Sequence, residues 1–223
     1  MDVIPSLNCP DVECARERLR ALQGVAQWVH LDVADARFTF NKTWGDPLSW
    51  PLFGKGFQLE VHLMVEEPEQ VIEGWLNGGA TRLAVHLEAL EDAGFRAQPG
   101  KPLALLQSMR DACARAGAEL VLGINAGTAP ERLAPYLSLV ERFLVLAVHP
   151  GLAGQKFLPV SLYTIEWLRR EAPHATIEVD GGINLETAGQ VKAVGADTVV
   201  AASFVFGAKG GDVAGALKAL AQV

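Results

Sequence analysis

The sequence predicts an α/β fold, a closed (β/α)8 TIM barrel, on three observations. Short β-rich runs alternate with amphipathic helical patterns along the whole chain, as in a parallel sheet whose strands are joined by crossover helices. About eight such units fit in 223 residues, enough to close a barrel, whereas an open doubly wound sheet usually needs fewer. No GxGxxG fingerprint follows the first strand-like run, where an open dinucleotide-binding sheet would more often carry one.

The elements follow in order. The first strand is predicted at 2–6 (DVIPS), followed by a helix through PDVECARERLRALQG with Asp11 near its start and Gly24 past its end. Strands two and three are predicted at 26–33 (AQWVHLDV) and 57–64 (FQLEVHLM). The stretch 43–56 between them (TWGDPLSWPLFGKG) carries Gly, Pro and two tryptophans, and is expected to lie as a loop over the barrel mouth. A helix opens at Pro68 and stops at Gly78-Gly79, ahead of strand four at 82–87 (RLAVHL). Another runs through PLALLQSMRDACARAG to Gly117, ahead of strand five at 118–124 (AELVLGI). Strands six and seven are predicted at 142–149 (RFLVLAVH) and 176–180 (TIEVD). A helix through LETAGQVKAVGA stops at Gly195, and strand eight covers 197–202 (DTVVAA). Proline in the first turn and glycine just past the last is the usual helix punctuation.

Composition sets limits. A chain 50% hydrophobic suits one domain, 1–223, with a large core. No apolar run is long enough to span a membrane, and the start MDVIPSLN lacks the basic and apolar regions of a signal peptide. A net charge of −7 without a basic face argues against nucleic acid as a partner. Cys9, Cys14 and Cys113 have no metal-like spacing and predict a reduced, cytoplasmic protein.

Four polar residues close or follow the apolar strands: His30 and Asp32 in HLDV, His62 in VHLM and Asp180 in VDGGIN. Barrel strands end at one mouth, so residues far apart in sequence converge there. Two imidazoles and two carboxylates are a ligand set for a divalent ion, with positions left open for a substrate. The spacing of His30 and Asp32 puts both on one face of a strand. Taken singly, each has a plainer reading: a hydrogen-bonded core histidine for His62 or His86, a turn-shaping aspartate for Asp180. Three Gly-containing segments follow late strands, at 149–157 (HPGLAGQKF), 180–184 (DGGIN) and 201–208 (AASFVFGA). Small residues let backbone N–H groups approach an anion, so Gly181, Gly182 and Ser203 suit a phosphate. Ordinary strand-to-helix turns are the alternative, and Lys156 reads equally as a surface lysine.

With these segments in place, the chain resembles the ribulose-phosphate 3-epimerases over nearly its whole length. The matching pieces, in order, are PSLNCPD (5–11), WVHLDVADARFTFN (28–41), LEVHLMVEEPE (59–69), AVHLEA (84–89), HPGLAGQKFLP (149–159), IEVDGGIN (177–184) and AASFVFGA (201–208). The resemblance implies a barrel of the ribulose-phosphate-binding type, cytoplasmic and homo-oligomeric, acting on a small sugar phosphate. It implies one divalent metal ion per subunit at His30, Asp32, His62 and Asp180, zinc first, with iron, manganese or cobalt as alternatives. It makes Asp32 and Asp180 the acid/base pair, and brings Ser6 and His62 to the substrate. It assigns the phosphate to backbone groups of Gly151, Leu152, Ala153, Gly154, Gly181, Gly182, Ala202 and Ser203. The reaction implied is C3 epimerisation of a ketose phosphate, D-ribulose 5-phosphate to D-xylulose 5-phosphate, through an enediolate.

The chain departs from the family pattern at several neighbours. Ala34-Asp35-Ala36 stands for Met-Asp-Gly, Phe40 for Pro, His149 for Asn, Ala153 for Gly, Cys9 for Ser and Leu146 for Met, while Met64 is kept. A larger Phe40 and smaller Ala34 would reshape the pocket, so C3 epimerisation of another ketose phosphate, such as allulose 6-phosphate, is an alternative. A phosphate-binding barrel without catalysis is an alternative of another class. A decarboxylase of the same fold would carry D-x-K-x-x-D, and LDVADA has no lysine at that place.

Overall fold

The computed structural model describes residues 1–91 and 100–223. Eight parallel strands close a barrel in chain order: β1 (Asp2–Leu7), β2 (Trp28–Ala34), β3 (Gln58–Met64), β4 (Ala80–His86), β5 (Glu119–Ile124), β6 (Arg142–Leu146), β7 (Thr176–Asp180) and β8 (Thr198–Ala201). β8 returns to β1 through Asp2↔Thr198 to Pro5↔Ala201, which leaves the sheet no free edge. The (β/α)8 expectation is therefore met, strand by strand. β6 ends earlier than its apolar run: beyond Leu146, the Ala147 N–H donates to the Asp180 carbonyl and the Ala147 carbonyl accepts from Leu158.

The helices are α1 (Val12–Leu22), α2 (Ile72–Asn77), α3 (Leu87–Glu91), α4 (Lys101–Arg115), α5 (Val160–Glu171), α6 (Leu185–Ala193), α7 (Ser203–Phe206) and α8 (Val213–Ala221). Asp11 caps α1 by accepting from the Cys14 N–H, and Asn184 with Thr187 forms a capping box at α6. The sequence reading names no helix at α3, α5, α7 or α8. In α5 the buried stripe is Ser161, Thr164, Ile165 and Leu168, with Trp167 beside it. Two hydroxyl residues thus occupy core positions and hide the apolar period. In α8, alanine and glycine on the outer face blur the contrast with buried Val213, Ala216, Leu217 and Leu220.

A large apolar cluster fills the space between strands and helices, and includes Leu31, Leu63, Leu83, Phe143 and Val179. A smaller one, Ala84, Val121, Leu144, Leu146 and Val148, lies inside the barrel. The rest of the interior carries charge. Arg82 bonds Glu60 at 2.6 Å and Glu119 at 2.9 Å, and Arg142 lies 3.3 Å from Glu119 and 3.5 Å from Glu178.

Two expectations are corrected. The 43–56 stretch does not cover the mouth. Trp50 is buried in the outer core, a Cβ on Gly78 would meet the Pro47 carbonyl at 2.7 Å, and no residue of the stretch lines the cleft there. Its tryptophans and prolines pack it onto the flank of the barrel beside α2. The cysteines are not all free: Cys9 and Cys14 are joined, with Cα atoms 5.6 Å apart, and only Cys113 is unpaired among the described residues. The turn from β1 into α1 brings the first two within bonding reach, which sequence spacing alone did not reveal. No helix among the described residues is long and apolar enough to cross a membrane.

Candidate active site and metal centre

Strand register builds the centre. In β2, His30 pairs with Ser6 of β1 and with Glu60 of β3, while Asp32 pairs with His62. In β7, Asp180 pairs with Leu146 of β6 and Val200 of β8. Alternate residues share a strand face, so His30 and Asp32 both point into the barrel.

The four side chains meet. His30 Nε2 lies 3.3 Å from Asp32 Oδ1 and 3.8 Å from Asp180 Oδ2. His62 Nδ1 lies 3.0 Å from Asp32 Oδ1 and 3.4 Å from Asp180 Oδ2. One atom from each of the four residues falls within a 4.8 Å set, with all four residues buried. His30 Nε2 has no hydrogen-bond partner. A buried polar atom left bare among carboxylate oxygens fits a cation as its missing partner.

Hydrogen bonds from the surroundings position three of the four residues, His30, Asp32 and His62. His30 Nδ1 meets Glu60 Oε1 at 2.6 Å, which aims Nε2 at the cluster. Ser6 Oγ donates to Asp32 Oδ2 at 2.6 Å, and Asn8 Nδ2 donates to the same oxygen at 3.1 Å. Asn8 Nδ2 also donates to the Gly151 carbonyl at 2.9 Å, tying β1 to the loop after β6. Thr43 Oγ1 donates to the Asp32 carbonyl at 2.6 Å. His62 Nε2 faces His86 Nε2 at 2.7 Å.

Electrostatics follow from these contacts. Burial pulls His30 down, but the carboxylates of Asp32, Glu178 and Glu60 around its ring outweigh that and hold it well above the ordinary imidazole value. Burial would raise Asp32, but the neighbouring imidazoles of His30 and His62 hold it well below the usual carboxylate range. Burial pushes Glu178 up to about 8, helped by the charge of Glu60. Burial lowers His86, which stays neutral beside Glu88.

Above the cluster opens a cleft. Ser6, Asp32 and Asp180 line its floor; Gly151, Leu152, Ala153, Gly154, Gly181, Gly182, Ala202 and Ser203 line its walls. His30 and His62 lie beneath, with no exposed surface. All the residues singled out from sequence for substrate contact, except His62, thus face this cleft. Gly181 and Gly182 have φ of +100° and +68°, and a Cβ on either would press into Val148 or the Phe157 backbone. Only glycine brings these N–H groups so close to the space.

Asn8 and Gln155 also line the cleft, and the sequence reading did not single them out. Phe40 and Ala34, expected to reshape the pocket, line no part of it: Phe40 is 75% exposed and Ala34 is buried. Ala36 takes φ of +62°, which explains why a glycine suits that position. Met64 and Leu146 do line the cleft.

A model of the ribulose-phosphate 3 epimerase family matches residues 2–206. The chain is 32% identical to the ribulose-phosphate 3-epimerase of Candida glabrata, over 92% of this chain and 85% of that one. It is 33% identical to the cytoplasmic isoform of ribulose-phosphate 3-epimerase from Oryza sativa subsp. japonica, over 97% of this chain and 92% of that one. Among solved structures, KGPDC from Streptococcus mutans in complex with D-R5P superimposes with a TM-score of 0.73 at 14% identity, covering 99% of this chain and 95% of that one. At that identity the likeness speaks for the fold alone.

Proposed function

The chain belongs to the ribulose-phosphate 3-epimerase family, enzymes of the isomerase class, and from that premise we propose that it inverts C3 of D-ribulose 5-phosphate to give D-xylulose 5-phosphate. The observation that carries this reading is the meeting of Asp32 and Asp180 with two histidines at the floor of a glycine-walled cleft.

A proton next to a ketone is weakly acidic, so the site must remove it and stabilise the charge left behind. Asp32 and Asp180 divide the proton work. One carboxylate takes the proton from one face of C3, and the other, as acid, returns a proton to the opposite face. Which acts first depends on the direction of turnover. Ser6 and Asn8 hold Asp32 Oδ2 and so fix the plane of that carboxylate. His30 Nε2, Asp32, His62 Nδ1 and Asp180 would hold one divalent cation, zinc first, with iron, manganese or cobalt as alternatives. When bound, that cation supplies Lewis-acid stabilisation of negative charge on the sugar oxygens. The backbone N–H groups at Gly181, Gly182 and Ser203, with the 151–154 loop, receive the phosphate and orient the sugar without taking part in proton transfer.

NMR in deuterated water tests the reading. Incubation with D-ribulose 5-phosphate should place deuterium at C3 as xylulose 5-phosphate accumulates. No exchange and no product would refute it. Allulose 6-phosphate as the substrate instead is the other arm of the same experiment; Leu146 and Ala153, which depart from the family pattern, line the cleft and keep that reading in play.

A further inference from the structure

The four-residue cluster does not end at its ligands. Behind His62 lie His86, at the end of β4, and Glu88, in the first turn of α3, both buried. His62 Nε2 and His86 Nε2 are 2.7 Å apart. The ring centroids are 4.9 Å apart with 27° between planes, so the rings lie edge to edge with their nitrogens aimed at each other. The ring of Phe38, 5.0 Å away, packs on His86. Beyond it, His86 Nδ1 is 3.4 Å from Glu88 Oε2. Neither of those two atoms has a hydrogen-bond partner. Glu88 cannot easily turn away, because Oε1 accepts from Thr128 Oγ1 at 2.5 Å and from the Asn125 N–H at 3.0 Å.

We infer that His86 and Glu88 are a positioning pair that holds His62 in the one tautomer able to offer Nδ1 to a cation. The inference rests on the cation reading of the previous subsection. A neutral imidazole carries one N–H, and two facing nitrogens need one donor and one acceptor. A cation at His62 Nδ1 leaves the proton on Nε2, which must donate to His86 Nε2. His86 then carries its own proton on Nδ1, facing the Glu88 carboxylate. The opposite arrangement puts a lone pair of His86 Nδ1 against a lone pair of Glu88 and puts the His62 proton on Nδ1, where the cation belongs. Glu88, anchored by the loop after β5, therefore selects the arrangement from one end. His30 is fixed separately, by Glu60, so each imidazole of the cluster has its own carboxylate control.

The test uses the purified, histidine-15N-labelled full chain loaded with zinc. Long-range 1H–15N spectra should show His62 protonated on Nε2 and His86 on Nδ1. Cobalt(II) titration, followed by visible absorption, should show His86→Phe binding the ion about ten- to a hundredfold more weakly than wild type. His86→Gln, whose amide oxygen still accepts from His62, should stay within about threefold, because the acceptor is kept. A zinc-loaded wild type with His86 protonated on Nε2 overturns the proposal, and so does a folded His86→Phe chain with unchanged cobalt affinity. If His86→Phe does not fold, the wild-type spectra decide. A wild type that binds neither zinc nor cobalt overturns the cation reading and this proposal together; a wild type that binds with unaffected variants overturns this one alone.

Discussion

In the proposed reaction Asp32 and Asp180 do what no neighbouring residue can replace, since the other polar groups on the cleft floor, Ser6 and Asn8, do not ionise at neutral pH. Asp32→Asn or Asp180→Asn should therefore lose turnover by at least about a thousandfold, within the range for removal of an acid/base group. The barrel should remain, because the amide keeps the size of the carboxyl and an oxygen that accepts from Ser6 or Asn8. Wild-type-like rates in either purified variant, with circular dichroism confirming the fold, would remove the proton-transfer roles. The legibility of these residues in sequence is uneven for a physical reason. HLDV is readable because alternation along one strand sets where both side chains point, and VDGG because glycine demands follow a strand end. Asn8 was not readable: it bonds Asp32, 24 positions away, and Gly151, 143 positions away. No local pattern encodes such a contact. Glu88 had the same disadvantage, its carboxylate meeting Asn125 and Thr128 across the barrel rim. His86 was visible, but its partners were not.

At the level of elements, the wall of the cleft depends on two strand-to-helix turns packing closely. Gly182, with φ +68°, sits where an added Cβ would come within 2.6 Å of the Phe157 backbone. Gly182→Ala should thus cost roughly 1–3 kcal/mol of stability, from left-handed backbone and displacement of the 151–158 segment. It should also raise KM for the sugar phosphate more than it lowers kcat, since the displaced groups orient rather than react. Unchanged Tm and KM in the variant would mean that the turns are not coupled in this way. The same packing explains which elements the sequence disclosed. The strands were legible because both their faces are covered, giving continuous apolar runs. α5 was not, since Ser161 and Thr164 fill core positions where an apolar residue would have marked the period. The 43–56 stretch was legible as irregular but not in its placement: Trp50 and Pro47 find their partners only once α2 is in position.

Across the whole molecule, barrel closure gathers buried charge that the chain leaves scattered, and pH is the variable that reads it. Glu88 is pushed up by burial, but the nearby His86 imidazole and the bonds from Thr128 and Asn125 outweigh that and lower it from 4.5 to about 2. A depressed carboxylate binds fewer protons folded than unfolded. Its stabilisation is present above the unfolded value of 4.5 and is lost as pH falls toward about 2. The size is on the order of 3 kcal/mol. His86, lowered from 6.5 by burial, acts in the same direction but starts at higher pH, because the folded chain resists its protonation. The two windows separate the groups. Glu88→Gln keeps a side-chain oxygen for Thr128 and Asn125 but removes the charge. Relative to wild type it should be less stable at neutral pH, and urea unfolding should show that gap narrowing by about 1–2 kcal/mol toward pH 3. His86 and Glu178, the latter pushed up to about 8, titrate above this window and act in opposite directions, so the comparison rests on the difference between variant and wild type. A gap that stays constant from neutral pH down to about 3 would show that the Glu88 charge contributes nothing to the fold. It would leave hydrogen bonding as its only part in holding β4 to the loop after β5.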